Sequence, residues 1–289
     1  MSRAEIVRAF LVAPLLLAAP VLAVDGVIEI NQAAVVAGGI TPGDAPGFPA
    51  TLSLPGSYRL TGNLDVRQLP NPQNVTAIVA ATDDITVDLN GFAILGPVTC
   101  SGEPLMCAPS GGNGYGVVAE APDELPSPRG VAVKNGTIRG MGLVGIDLSS
   151  RAIVENVRAS HNGSFGISVS AGTVRDCVVE LNGADGISAN DSLVTGNHSR
   201  RNKGIGLVVQ NGSVTNNYVE GCEEEGIIGN GSIVLDNVVV SCTGVGLFGF
   251  SSTGYGNNVF TANNGGGVQV SGGALELGEN VCNGDKICP

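Results

Sequence analysis

Apolar and polar residues alternate over short stretches of the chain, and in its second half these stretches recur at a constant interval. From Arg151 onward the sequence divides, without a gap, into six units of 20 residues. A valine column runs through the first five units and a glycine column through all six: Val154, Val174, Val194, Val214 and Val234, and Gly166, Gly186, Gly206, Gly226, Gly246 and Gly266. This alternation, with Gly and Asn between the apolar stretches, predicts short strands joined by tight turns.

A unit of this size buries little apolar surface alone, whereas stacked units share a continuous core. Stacked parallel strands lie about 4.8 Å apart, so the side chains of one column follow each other along the axis. Leucine-rich repeats, calcium-binding nonapeptide repeats and left-handed hexapeptide helices each have their own pattern, and none of these patterns occurs here. The repeat therefore predicts a solenoid of parallel strands.

The phrase N-x-x-x-G-I occurs at Asn162–Ile167 and Asn182–Ile187, with the variant Asn202–Leu207. In these phrases the chain resembles the repeat of right-handed β-helix proteins of the pectin-lyase-like superfamily. The resemblance implies an all-β fold, a right-handed single-stranded parallel β-helix solenoid with coils of about 20 residues. Because an open first coil would expose unpaired strand edges, we also expect a short N-terminal cap.

The N-terminus has the features of a secretory leader. Arg3 and Arg8 precede an apolar run, Leu11–Leu22, and small side chains suited to signal peptidase occupy positions 21 and 23. We expect a signal peptide over residues 1–23, cleavage near Ala23, and a secreted or periplasmic protein. No later segment approaches the roughly 20 apolar residues of a membrane span, so none is predicted.

The mature chain is expected to form one domain. Residues 24–50 are assigned to an N-terminal lead-in and cap, with a short helix over residues 30–37, and residues 51–289 to the β-helix. Within the β-helix, residues 97–129 depart from the repeat, are rich in Gly and Pro, and are predicted to form an inserted loop. The sequence determines neither which face this loop covers nor the oligomeric state.

Acidic residues outnumber basic ones by 26 to 14, which gives a formal net charge of −12. Nucleic-acid binding depends on neutralising phosphates with Lys and Arg, so this charge argues against a nucleic-acid partner.

Seven cysteines in an exported chain are compatible with disulfides, because the periplasm and the exterior are oxidising. Three pairs are placed to close disulfides, two across short loops and one between neighbouring coils at a spacing that a disulfide spans: Cys100 with Cys107, Cys282 with Cys288, and Cys222 with Cys242. Cys177 lies in an inward column and is expected to be a free thiol. No C-x-x-C pair or neighbouring His indicates a metal site, and none is predicted.

Asn162, Asn182 and Asn202 form a column at a turn. Stacked amides in such a column hydrogen-bond to one another along the axis. We therefore interpret these residues as structural.

Two outward columns of the repeat lie side by side on one strand face and carry charged and aromatic residues. We call these residues the charged face: Arg158, Glu180, His198, Arg200, Tyr218 and Glu220. Such a surface can hold a sugar chain, and its histidine and carboxylates could also act as general acid and base. Opposite charges on neighbouring strands equally serve cross-strand stabilisation, so a purely structural role is the competing interpretation.

The resemblance implies lyase, hydrolase or epimerase action on acidic polysaccharides, although the fold alone does not confer activity. Of the family's catalytic phrases only Asp83-Asp84 is present, and the histidine phrases are missing because His161 and His198 are the only histidines. The acidic run Glu223–Glu225 does not predict a calcium site, since three consecutive carboxylates seldom converge on an ion that needs roughly six to eight oxygens. No cofactor is therefore predicted.

We accordingly expect a non-catalytic secreted protein whose elongated face binds polysaccharide or a cell-surface glycan. The alternative is a polysaccharide lyase or glycoside hydrolase that uses the face around His198, although no complete catalytic motif assigns its catalytic residues. A third hypothesis is a surface adhesin held by noncovalent attachment.

Overall fold

The structure, a computed structural model, describes residues 26–121, 126–286 and 288. The predicted signal peptide and its cleavage site lie outside the described residues. The described chain forms a parallel β-solenoid in which successive coils pair equivalent residues: Ile167 pairs with Ile187, and Ile187 with Leu207. The predicted all-β parallel solenoid with coils of about 20 residues is therefore confirmed.

One side of the solenoid is a ten-stranded sheet to which each coil contributes one strand. Its strands, in chain order, are Ala50–Leu52, Ile78–Ala80, Val117–Ala119, Ile146–Leu148, Ile167–Ser170, Ile187–Asn190, Leu207–Gln210, Ile227–Asn230, Leu247–Gly249 and Val270–Ser271.

The other side is a nineteen-stranded sheet to which most coils contribute two strands. The first strands form what we call the first row: Val27–Ile30, Gly56–Leu60, Ile85–Asp88, Thr173–Arg175, Leu193–Thr195, Ser213–Thr215, Ile233–Leu235, Gly254–Gly256 and Leu275–Glu276. The others form the second row: Leu64–Asp65, Ala93–Leu95, Val178–Glu180, His198–Arg200, Tyr218–Glu220, Val238–Val240, Val259–Thr261 and Val281–Cys282. Two long strands, Ala132–Arg139 and Ile153–Ser160, belong to both rows.

The core is a stack of aliphatic columns. The predicted valine column is fully buried throughout, and so is the column of Ile167, Ile187, Leu207, Ile227 and Leu247. The glycine column is required where the chain turns into the ten-stranded sheet, because a Cβ on Gly166 would lie 2.2 Å from the Cγ1 of Val179. Aliphatic side chains therefore fill most of the core, with the fully buried Tyr58 and Phe260 near its two ends.

A two-residue turn joins the first row to the second. Its first residue has a left-handed backbone, with φ of 54° at Asp176, 67° at Gly196, 57° at Asn216 and 58° at Asp236. Asn, Asp and Gly are the residues that tolerate this conformation, and they recur at this position for that reason.

The second residue of this turn starts an amide ladder that the sequence analysis missed, made of Asn197, Asn217, Asn237, Asn258 and Asn280. The predicted ladder follows the second row and is built in the same way. Oδ1 of Asn182 accepts hydrogen bonds from the backbone N and from Nδ2 of Asn162, each at 3.0 Å, and Asn202 does the same for Asn182. Each amide thus binds the turn of one coil to the turn of the next.

The sixth unit does not keep the predicted gap-free register. Val238 pairs with Val259, and Val239 with Phe260, so this coil contains one residue more than those before it. Asn258 and Phe260, which the gap-free alignment places on the outward face, are both buried. Gly266 also leaves the glycine column, because Leu247 pairs with Val270. The extra residue is accommodated at the turn over residues 250–253, where Thr253 donates its hydroxyl proton to the carbonyl of Gly229.

The three predicted disulfides, Cys100–Cys107, Cys222–Cys242 and Cys282–Cys288, are present, and Cys177 is a buried free thiol. Cys222 and Cys242 continue the column of the predicted asparagine ladder, and their Cα atoms lie 4.6 Å apart. In this column a covalent bond replaces the amide hydrogen bonds between two coils. Burial raises the pKa of the Cys177 thiol to about 12, so this thiol is a packing residue and not a nucleophile.

A short helix, Gln32–Ala37, lies in the segment where the sequence predicts one. The Asn31 side chain caps it by accepting a hydrogen bond from the backbone N of Ala34, and its Val35 is buried in the solenoid core. Across the described part of the chain, no helix is long and apolar enough to span a bilayer.

Replacing Asn182 with Ala removes four buried hydrogen bonds: two to backbone groups of the preceding coil, the N of Asn162 and the carbonyl of Ala159, and two to the side-chain amides of Asn162 and Asn202. Because each unsatisfied buried polar group costs about 1–3 kcal/mol, we expect Asn182→Ala to lower the free energy of unfolding by about 3 kcal/mol or more. Urea unfolding followed by circular dichroism measures the loss. Asn190→Ala, at an exposed asparagine of the same coil, is the control, and equal losses in the two variants would contradict a structural role for the ladder.

Candidate functional site

The second row of strands brings the predicted charged face together. Glu180 pairs in register with Arg200, and Arg200 with Glu220, while His198 pairs with Tyr218. Arg158 lies two coils before His198 in the same column, with Val178 between them. All six side chains therefore belong to four consecutive coils, as the repeat register predicts.

Glu180 is the centre of an ion-pair network. Its carboxylate pairs with Arg158 through one oxygen and with Arg200 through the other. The Glu180 side chain is only 10% exposed, whereas the two arginines are 49% and 38% exposed. Both arginines thus share one carboxylate within the protein, and this end of the charged face is a structural network with one positive charge in excess.

The other end of the charged face is more open. The rings of His198 and Tyr218 meet edge to face with centroids 5.0 Å apart, and Nε2 of His198 lies 3.4 Å from Oε1 of Glu220. Partial burial and the Glu220 carboxylate raise the pKa of the Tyr218 phenol, which keeps it a neutral hydrogen-bond donor. Tyr218 and Glu220 are therefore the members of the face available to a ligand.

The segment predicted as an inserted loop contains a β-hairpin that folds onto the edge of this face. Its strands, Thr99–Ser101 and Met106–Ala108, pair antiparallel as a separate two-stranded sheet, and the Cys100–Cys107 disulfide crosses them. We call residues 99–108 the hairpin. The hairpin covers the turns that follow the second row. The sequence alone does not determine this location.

Two side chains of the solenoid hold the hairpin through its backbone. The backbone N of Cys100 donates to Nδ1 of His161 at 3.1 Å, and the backbone N of Leu105 donates to the carboxylate of Glu223. A small apolar cluster adds to these contacts, because Cys100 and Leu105 are buried against Leu181. Arg201 also pairs with Glu103 near the hairpin tip at 3.5 Å, although both side chains are largely exposed.

A groove of about 720 Å³ lies between the hairpin tip and the turns of three coils. Residues 102–105 form one wall, and the opposite side is formed by Arg201, Glu220, Glu223, Val240, Ser241 and Thr243. Glu220 belongs both to this groove and to the charged face. The two surfaces are therefore continuous, and together they form the candidate site.

The acidic run Glu223–Glu225 does not converge on one point. Glu223 binds the hairpin, whereas the pKa of Glu224 is raised by partial burial and by the nearby carboxylates of Asp185 and Glu225. In the described residues, no group of three or more His, Cys, Asp or Glu side chains is placed to hold a metal ion.

The sequence analysis missed Glu103, Arg201 and Glu223 as site residues. Arg201 and Glu223 occupy turn positions, which the analysis of strand columns did not consider. Glu103 lies in the inserted segment, whose docking position has no signal in the repeat.

The comparisons with known proteins agree with this architecture. Residues 110–206 match the family model described as "Right handed beta helix region". Together with the parallel coils, this match shows a right-handed parallel β-helix protein, and the resemblance to this class is confirmed. No curated protein sequence matches the chain significantly.

Solved structures of similar fold share little sequence with the chain. It is 16% identical to the enzymatically active domain of tailspike protein 2 of bacteriophage CBA120, with a TM-score of 0.55 over 80% of this chain and 41% of that one. For the Agl-KA catalytic domain the identity is 13% and the TM-score 0.52, over 77% and 47%. For the A-module of the Azotobacter vinelandii mannuronan C-5 epimerase AlgE4 they are 17% and 0.49, over 72% and 70%. The chain thus spans less than half of the first two, and the likeness shows the fold alone.

The Glu180 network gives a stability prediction. Glu180→Gln removes the carboxylate charge that two arginines share, and hydrogen bonds to charged groups contribute about 1.5–3 kcal/mol, so we expect a loss of about 1–2 kcal/mol in unfolding free energy. Glu155→Gln is the matched control, because Glu155 pairs with Arg175 alone in an exposed position, where a pair contributes about 0.5 kcal/mol. Urea unfolding of both variants makes the comparison, and a smaller loss in Glu180→Gln than in the control would contradict this account.

Proposed function

We propose that this protein is an exported, non-catalytic β-helix protein that binds a neutral polysaccharide or cell-surface glycan in the groove beside the hairpin. The observation that carries the proposal is the groove itself. An inserted segment is held by a disulfide and by two solenoid side chains, and it adds a wall to one edge of an otherwise regular surface. Concave sites with a few convergent polar groups are where proteins usually bind small ligands or parts of polymers.

The chemistry of the groove supports a glycan. Glu220 and Ser241 supply polar groups of the kind that bind sugar hydroxyls, whereas Val240 and Pro104 supply apolar contacts for a sugar ring. Tyr218, which is 39% exposed, extends the surface beyond the groove and offers an aromatic edge and a phenol. A chain that runs from the groove along the second row would contact all of these residues.

The charges support a neutral glycan over a polyuronate. Arg158 and Arg200 share the single carboxylate of Glu180, whereas Arg201 faces three carboxylates around the groove, Glu103, Glu220 and Glu223. Four negative charges therefore stand against three positive ones at the site. The chain as a whole also has a net charge of −12. A polymer with one carboxylate per sugar would therefore be repelled at this site.

Export is part of the same proposal. The leader predicted over residues 1–23 would direct the chain out of the cytoplasm, and three disulfides suit an oxidising compartment. Residues 24–50 and 51–289 are then the cap and β-helix of the mature protein.

Binding is tested by affinity electrophoresis and calorimetry of the mature protein with a panel of neutral and acidic polysaccharides. We expect retention by a neutral polymer, and a loss of about tenfold in affinity for Tyr218→Ala, because an aromatic contact at a binding surface contributes about 1–1.5 kcal/mol. Phe250→Ala, which removes an exposed aromatic side chain next to the ten-stranded sheet, should bind as the parent does. Equal losses in both variants, or retention by polyuronates alone, would refute the proposal.

A polysaccharide lyase or hydrolase is the second candidate, because Nε2 of His198 lies 3.4 Å from Oε1 of Glu220, which places an imidazole and a carboxylate side by side at the site. Mass spectrometry of products after incubation with the same panel, with and without Ca²⁺, separates the two hypotheses. We expect no oligosaccharide release. Release that His198→Ala abolishes without unfolding the protein would establish the enzyme instead.

A further inference from the structure

We propose that the hairpin is a pH-responsive wall of the groove: protonation of His161 releases it from the solenoid and weakens ligand binding. The effect on binding rests on the proposed function, whereas the movement of the hairpin does not.

The hydrogen bond between His161 and the hairpin requires a neutral imidazole. Nδ1 of its ring accepts a hydrogen bond from the backbone N of Cys100 at 3.1 Å. A backbone N–H is only a donor, so the ring nitrogen that faces it must carry no proton. Protonation of the imidazole turns both ring nitrogens into donors, and the contact becomes a repulsive pair of N–H groups. The closed hairpin and a charged His161 are therefore incompatible at this contact.

The backbone of His161 has little freedom to move. It is in the left-handed region with φ of 55°, and it lies at the turn between the second row and the asparagine ladder. The adjacent residue, Asn162, is fully buried and bonded to the next coil. The hairpin, which is attached by far fewer contacts, is the element expected to move.

The charged groups around the ring favour its neutral form. Burial and the positive charge of Arg139, from the preceding coil, lower the pKa of His161, whereas the negative charge of Glu180, from the following coil, acts in the opposite direction with smaller effect. The neutral ring, and with it the hydrogen bond to the hairpin, is thus favoured at neutral pH.

The remaining attachments are few enough for one hydrogen bond to matter. The two strands of the hairpin pair with each other and form a sheet separate from those of the solenoid. Besides the bond to His161, the hairpin is held by Glu223, by the small cluster around Leu181 and by the exposed pair of Glu103 with Arg201. Both sulfurs of its disulfide also pack against the carbonyl of Asn162, and the backbone N of Val98 at its base donates to the carbonyl of Gly140 at 2.8 Å. Segments with so few buried contacts open at low free-energy cost. The Cys100–Cys107 disulfide keeps the hairpin intact, so it would move as a unit.

The direction of the pH dependence follows from the lowered pKa. Release of the hairpin removes part of the burial and the contact with Cys100, so the imidazole has a higher pKa in the released state and binds a proton more readily than in the closed state. Closure is therefore most favourable above the pKa of the released state and weakens as the pH falls towards the lower pKa of the closed state. Each unit by which the hairpin lowers this pKa changes the closed-to-open ratio by up to about tenfold.

The test measures hydrogen exchange of the backbone amides of Cys100 and Leu105 in the full mature chain without ligand, at pH 7.5 and pH 5.5, as protection factors corrected for intrinsic rates. We expect a fall of roughly threefold or more at the lower pH. His161→Asn keeps a side-chain acceptor that does not titrate and tolerates the left-handed backbone, so its protection should not depend on pH. His198→Asn, at the other histidine, should retain the parent's pH dependence.

Equal protection of the parent protein at both pH values would overturn the proposal, and so would an unchanged pH dependence in His161→Asn. Affinity for the retained neutral polysaccharide is measured at the same two pH values. A pH-dependent hairpin without polysaccharide binding would refute the proposed function but keep the switch. Binding that His161→Asn renders independent of pH would support both.

Discussion

The stacking of one coil on the next is the interaction on which the rest of the structure depends. Each coil is too small to hold its own core, so its stability comes from the aliphatic columns and from hydrogen bonds to its neighbours. The turns also stabilise the stack, because two asparagine ladders hydrogen-bond them along the axis. Between Cys222 and Cys242 a disulfide replaces the amide hydrogen bonds. The strict repeat in the sequence is the consequence.

A surface made by such stacking is uniform, and a uniform surface has few concave sites. The hairpin changes this locally. It is inserted before the regular coils begin, and it packs sideways onto turns that lie as much as 118 residues later in the sequence, at Glu223. One insertion thus builds a groove on a scaffold whose own coils remain regular, and it leaves the core unchanged. Attachment through a few polar contacts also makes this wall the part of the site most open to regulation.

The sequence predicted most of the fold because the fold is encoded by a local period. The aliphatic columns, the ladder of Asn162, Asn182 and Asn202, the Cys222–Cys242 disulfide and the composition of the charged face all follow from counting in steps of 20 residues. The same counting failed in the sixth unit, where one additional residue shifts Phe260 from the outward face into the core. It also could not place the hairpin, because contacts such as those of His161 with Cys100 and of Glu223 with Leu105 join residues that no period relates. The groove could therefore not be predicted from the sequence, although Glu220, which lines its solenoid side, was already predicted as part of the charged face.

The contacts in the structure determine which charges of the charged face are paired within the protein. Arg158 and Arg200 both pair with Glu180, and the groove beside them is acidic. The most direct test of this account is nuclear magnetic resonance of the isotope-labelled mature chain titrated with a neutral oligosaccharide. The account predicts shifts centred on the amides of Leu105, Arg201, Glu220 and Thr243. Shifts confined to the ten-stranded sheet, or shifts caused by polyuronate alone, would contradict it.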